Sequence, residues 1–121
     1  MIWRIRDRAT FAALRARGAR GRRGSVTVTH LPATAGVPRV GFAVPKGVGT
    51  AVARNRARRR LRALLDTPEA GLRSGAYLVR LGPAAADLDF AGLRAELYAA
   101  VHAAHAAGGP AASAHLGGAT P

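Results

Sequence analysis

The stretch from Arg54 to Arg62 places six arginines in nine residues and contains no acidic residue. Wound as a helix, Ala51–Leu65 has one apolar arc, made of Ala53, Ala57, Leu61, Leu64 and Leu65. Such a helix cannot enter a core, and it cannot be stable alone. Like charges at i,i+4 cost about a few tenths of a kcal/mol per pair. It must therefore lay its leucines on a larger apolar surface and leave its arginines in water. Thr50 is placed to cap its start, while Pro68 and Gly71 end it.

The rest of the chain has to supply that surface. With 121 residues it fits one domain. Hydrophobic residues make up 49% but are largely alanine, and only 5% are aromatic, so the core must enclose most valines, leucines and aromatics. Ser25–Leu31 alternates valine with threonine and reads as a strand. Arg39–Val44 is dense enough in apolar residues to be a strand buried on both faces, and an antiparallel pairing of these two is expected. Ala76–Leu81 is a third strand. Ile2–Gly18 reads as a short strand or coil followed by a helix. Asp7 or Thr10 caps that helix, Phe11 and Leu14 share one face, and Gly18 forms the stop. The basic, glycine-rich Ala19–Gly24 reads as a flexible loop or hairpin approach, and one short extra strand near Val48 is a further option. Asp89 caps a last helix whose Phe90, Leu93, Leu97 and Val101 face the core. Residues 108–121 hold little to bury and read as a disordered tail, which leaves 1–107 as the domain. The order α–β–β–α–β–α describes an α+β chain, a sandwich of helices on a small sheet.

Charge narrows the function. Nineteen basic residues against six acidic ones give +13, a field that repels itself in a compact state and is relieved by a polyanion. Eighteen of the nineteen are arginine, a ratio that codon bias in a GC-rich genome explains better than recognition does. The total charge is not explained that way. A basic face with no acidic partners reads as a nucleic-acid contact surface rather than a merely solvated one. Asn55 could serve a sugar hydroxyl or base edge, or equally a local hydrogen bond. Lys46-Gly47-Val48-Gly49-Thr50 lacks the spacing of a nucleotide-binding loop, so its glycines suit a plain turn, from which Lys46 can still reach a phosphate. Phe11 suits the core, or at a sheet edge could stack a base of single-stranded RNA. A membrane-surface helix would need a bulkier apolar face, and a DNA reader would show a second helix in helix-turn-helix spacing. His102 and His105 lack a nearby carboxylate for a metal, His30 and His115 point to nothing, and Asp87 with Asp89 suits helix capping better than hydrolysis. No catalytic constellation emerges. The absence of cysteine and of any apolar run of bilayer length fits a reducing cytoplasm and no membrane.

One block carries a specific resemblance. Arg39-Val40-Gly41-Phe42-Ala43-Val44-Pro45-Lys46, then Gly49, then Ala51-Val52-Ala53-Arg54-Asn55-Arg56, Arg58-Arg59 and Leu61-Arg62, resembles the signature of the bacterial ribonuclease P protein subunit. There a strand reading R-V-G-x-x-V-x-K leads into an R-N-R helix. The likeness reaches back to the Phe11…Gly18 spacing and forward to Tyr77–Arg80 and the Asp89 helix, about residues 4 to 106 in all.

The resemblance implies an α–β–β–β–α–β–α fold with a small mixed four-stranded sheet and a left-handed βαβ crossover, ribosomal protein S5 domain 2-like. It implies an endoribonuclease holoenzyme that removes the 5′ leader of precursor tRNA, in which an RNA subunit performs the hydrolysis with magnesium ions bound mainly by that RNA. No catalytic residue is then expected in this chain, nor an obligate protein partner. It implies catalytic-RNA binding by Lys46, Arg54, Asn55, Arg56, Arg58, Arg59 and Arg62, and leader binding by Phe11 and Arg15. Arg15 stands where the family often has a second aromatic, and Lys46-Gly47 stands where it usually has two lysines.

Overall fold

The computed structural model describes residues 1–116, and side chains for residues 1–108. Its elements in order are β1 (Trp3–Arg4), α1 (Arg8–Arg17), β2 (Ala19–Arg23), β3 (Val26–Pro32), β4 (Arg39–Ala43), α2 (Ala51–Leu65), β5 (Gly75–Leu81) and α3 (Phe90–Leu116). The strands form one mixed sheet in the order β1-β4-β5-β3-β2. β4 runs parallel to β1 and β5, and the β3 pairings to β5 and β2 are antiparallel. The β4–α2–β5 crossover between parallel strands is thus present, in a sheet of five strands where the resemblance implies four.

Period-two alternation along β5 divides the core. Ala76 and Leu78 pack with Ile5, Phe11 and Leu14, which seats α1 on one face. Tyr77, Val79 and Leu81 pack on the other with Leu61, Leu64 and Leu65 of α2 and Leu93, Leu97 and Val101 of α3. The caps fall where the sequence puts them. Thr10 N–H donates to Asp7 Oδ2 at 2.9 Å, Ala53 N–H to Thr50 Oγ1 at 3.1 Å, and Gly92 N–H to Asp89 Oδ1 at 2.7 Å. Gly18 ends α1 without a left-handed turn. It is glycine because a Cβ there would collide with Thr29 Cγ2 and Leu14 O.

Four expectations change. β3 and β4 do not pair, because β5, buried along most of its length, takes the centre between them. Ala19–Arg23 is a strand rather than a loop, paired with β3 from Ala19↔His30 to Arg23↔Val26. The segment near Val48 is a 3₁₀ turn, Lys46–Val48, not a strand. Phe90, the first residue of α3, is exposed rather than core-facing. The helical backbone of α3 continues past Gly108 to Leu116, into the segment expected to be a tail; the side chains of 109–116, His115 among them, and all of 117–121 lie outside the described residues.

His30 and His105 join Tyr77 in a cluster that the sequence does not announce. His30 stacks on Tyr77 with centroids 4.2 Å apart. Tyr77 Oη accepts from Arg73 N–H at 2.8 Å and is hydrogen-bonded to His105 Nε2 at 2.7 Å. Burial, with Arg73 and the other histidines adding repulsion, pushes His105 down to about 4, and burial also lowers His30. Both rings fold neutral, so their contribution is complete above the unfolded value near 6.5 and is lost as pH falls below it, for His105 toward about 4. Urea midpoints should drop as pH falls across that window. His105→Gln should flatten the dependence, and an equally steep profile in that variant would count against the neutral cluster.

Candidate nucleic-acid interface

The 3.6-residue repeat sorts the α2 side chains into rows. Arg54, Arg58 and Arg62 form one, Arg56 and Arg60 a second, and Asn55 with Arg59 a third. Arg58 and Arg62 line a cleft of about 300 Å³ whose other walls include Phe11, Gly41 and Phe42. Arg56 and Arg60 line a smaller hollow of about 120 Å³ beside Val48, Leu88 and Leu93, so their stems pack toward the start of α3. Arg59 and Asn55 are exposed, as is Lys46 in the turn before α2. Gly49 closes that turn at φ 145°, a conformation glycine adopts freely, so the turn geometry accounts for this glycine.

The cleft exists because β1 is only two residues long. It covers Arg39 and Val40 of β4 and leaves the strand's Gly41–Ala43 end as an open edge. Neighbouring residues of a strand face opposite sides. Phe11 lies against Gly41, whose Cβ would sit 2.6 Å from its ring, and the Arg62 guanidinium lies 5.6 Å from the Phe42 centroid on the α2 side. The half-buried Phe11 ring thus serves the core at its back and the cleft at its edge. Arg15 follows one turn later, is exposed, and is not among the cleft walls. Of the two uses open to Asn55, a local one is realised: its Oδ1 accepts from Arg58 Nη1 at 2.9 Å.

Five of the six acidic side chains are occupied elsewhere, Asp89 among them as the cap of α3. Asp7 caps α1 and meets Arg39 at 3.6 Å; Thr10's hydroxyl and backbone N–H, then Arg39, hold its carboxyl below the ordinary value. Asp66 binds the N-terminal ammonium at 2.9 Å, and Glu69 binds Arg94. Glu96 accepts from the N–H and hydroxyl of Ser25, each at 2.9 Å. Among the described residues no α2 arginine takes part in an ion pair. Arg54 Nε is in addition buried with no hydrogen-bond partner. This surface folds with its charge uncompensated, and phosphate oxygens match both its sign and its forked donors.

Sequence reasoning missed Gly41, Phe42 and Arg4 as cleft walls, and it counted Arg60 in the basic face without naming it among the RNA-binding residues. A glycine inside an otherwise apolar strand was the available signal for Gly41, since it marks a close approach by another group.

The chain has relatives among known proteins. The family model described as Ribonuclease P matches residues 2–105. The chain is similar to the ribonuclease P protein component of Thermobifida fusca, with 39% identity over 83% of this chain and 74% of that protein. The same component of Streptomyces avermitilis is 42% identical over 81% of this chain and 88% of its own length. Among solved structures, the Staphylococcus aureus RNase P protein superposes with a TM-score of 0.75 at 21% identity, covering 83% of this chain and 93% of that one. The Thermotoga maritima RNase P protein gives 0.68 at 21% identity, covering 78% and 90%. The chain belongs to the ribonuclease P protein component family, the non-catalytic protein subunit of an endoribonuclease that matures the 5′ end of tRNA.

Proposed function

We propose that α2 binds the catalytic RNA and that the cleft beside it receives the single-stranded 5′ leader of precursor tRNA. The carrying observation is the uncompensated arginine face of α2, which turns into a cleft holding an aromatic ring. Lys46, Arg54, Asn55, Arg56, Arg58, Arg59 and Arg62 take backbone phosphates and hydroxyls of the folded RNA. Phe11 offers a ring edge and face to an unpaired base, and Arg58 and Arg62 flank the same strand's phosphates. Arg15 lies outside the cleft walls and contributes charge to the approach rather than a stacking surface. Magnesium acts on the RNA. Asp7, the one acidic group lining the adjoining cavity, is already engaged by Thr10 and Arg39, so the chain's part is to hold and orient both RNAs.

Reconstitution with the catalytic RNA tests this. The holoenzyme should bind precursor tRNA more tightly than mature tRNA, and the chain alone should not cleave. Phe11→Ala should weaken precursor binding about 5- to 150-fold, the loss of one stacked base, while leaving mature tRNA binding unchanged. Equal affinity of the wild-type holoenzyme for precursor and mature tRNA would refute a leader site. Phe11 also contacts the core, so the variant's urea midpoint should be measured alongside.

A further inference from the structure

Outside the cleft, the largest hydrophobic side chain in water is Trp3, 57% exposed. Its backbone is not a loose end. Trp3 N–H donates to Pro38 O at 2.9 Å, Ile5 N–H donates to Val40 O at 3.2 Å, and the N-terminal ammonium is tied to Asp66. Trp3 stands in register beside Arg39 on β4. It lines a cavity of about 730 Å³ together with Arg4, Arg6, Arg39 and Arg62. Four guanidinium groups around one indole, with Asp7 as the only acid and already ion-paired, form a site of aromatic face plus phosphate donors.

Continuity with the neighbouring site decides the ligand. Arg4 and Arg62 line both this cavity and the cleft of Phe11. A polyanion lying in the cleft therefore meets, past those two arginines, a second aromatic ring. We propose that Trp3, with Arg4, Arg6 and Arg39, is a second base-stacking site for single-stranded RNA, engaged by leader nucleotides farther along the strand than the one at Phe11. The inference rests on the leader reading of the cleft. It gives the chain a second aromatic for the leader at β1, whereas the position one turn after Phe11 is Arg15.

Trp3 is the single tryptophan of the chain, so its fluorescence reports on this site alone. Holoenzyme titrated with precursor tRNAs of increasing leader length should show quenching only once the leader outgrows the Phe11 site. Trp3→Ala should weaken long-leader binding about 5- to 150-fold and leave short-leader and mature tRNA binding unchanged, and Trp3→Phe should restore part of the loss. Leader-length dependence that Phe11→Ala abolishes and Trp3→Ala leaves intact would overturn this inference and spare the cleft reading. No leader dependence at all would overturn both. An emission change that follows protein concentration in the absence of RNA would assign Trp3 to contact with a second copy of the chain and would equally overturn the proposal.

Discussion

Gly21→Val should cost the domain about 3 kcal/mol or more, the largest single-residue loss of stability expected in this chain. Gly21 is buried in β2, and α3 crosses it at backbone contact. A Cβ at this position would collide with Ala104 N and lie 2.5 Å from both Ala100 O and the Ala103 carbonyl carbon. These are main-chain atoms of a helix, so no rotamer change relieves the clash. α3 cannot lift away cheaply either, because Ala100, Val101 and Ala104 on its inner face are at most 2% exposed. Moving the helix would reopen the interface through which it covers both β2 and β3. Small domains have only about 5–15 kcal/mol of total stability, so the substitution consumes a large share of it. Urea denaturation should show a much lower midpoint with little change in m. Gly82→Ala is the control: its φ is −88°, the nearest atom to a new Cβ is Ser25 O at 3.7 Å, and it should stay within about 0.5 kcal/mol of wild type. A Gly21→Val midpoint close to wild type would mean that α3 sits farther from the sheet than described.

The same glycine explains why β2 was not legible in the sequence. Ala19–Arg23 reads Ala-Arg-Gly-Arg-Arg, with no alternating apolar side chains, and strand propensity disfavours it. It is a strand because β3 offers a full edge and because a residue without a side chain lets α3 pack directly on the backbone. α2 was legible from end to end, since Thr50, the leucine arc and Pro68 are all local signals. Pairing was not. The alternation in Ser25–Leu31 identifies a strand but not its neighbour, and β5 separates β3 from β4 through contacts distant in sequence. The site divides in the same way. Arginine density on α2 could be counted directly, but that Arg58 and Arg62 share a cleft with Phe11, or that Trp3 adjoins it, depends on the shortness of β1 and the register Trp3↔Arg39.

Replacing Arg54, Arg58 and Arg62 together by alanine should lower affinity for the catalytic RNA by on the order of 10³-fold at moderate salt, with the fold intact. The three form one row on α2, and none is ion-paired with a described acid, so their removal breaks no ion pair of the folded chain. The losses inside the chain are small: the Arg58–Asn55 hydrogen bond, and the Arg62 contact with Phe42, which is worth about 0.5–1 kcal/mol at an exposed site. Against these stands relief of like-charge repulsion at the two i,i+4 spacings in the row, and alanine favours the helix. Stability should therefore change by less than about 1 kcal/mol, which separates a binding defect from a folding defect. A charge-assisted hydrogen bond to phosphate contributes about 1.5–3 kcal/mol, so three lost contacts give about a thousandfold even near the lower end of that range. Counterion release supplies an independent measure. The slope of log K against log salt should become shallower by about 0.7–0.9 for each phosphate contact removed, about 2–3 units for the triple variant. The Arg56→Ala/Arg60→Ala pair, whose stems pack toward α3, tests whether the second row faces the same RNA. A triple variant that is folded, binds as wild type and keeps the wild-type salt slope would take this row out of the interface, leaving Arg56, Arg59 and Arg60 to carry the charge that the RNA reads.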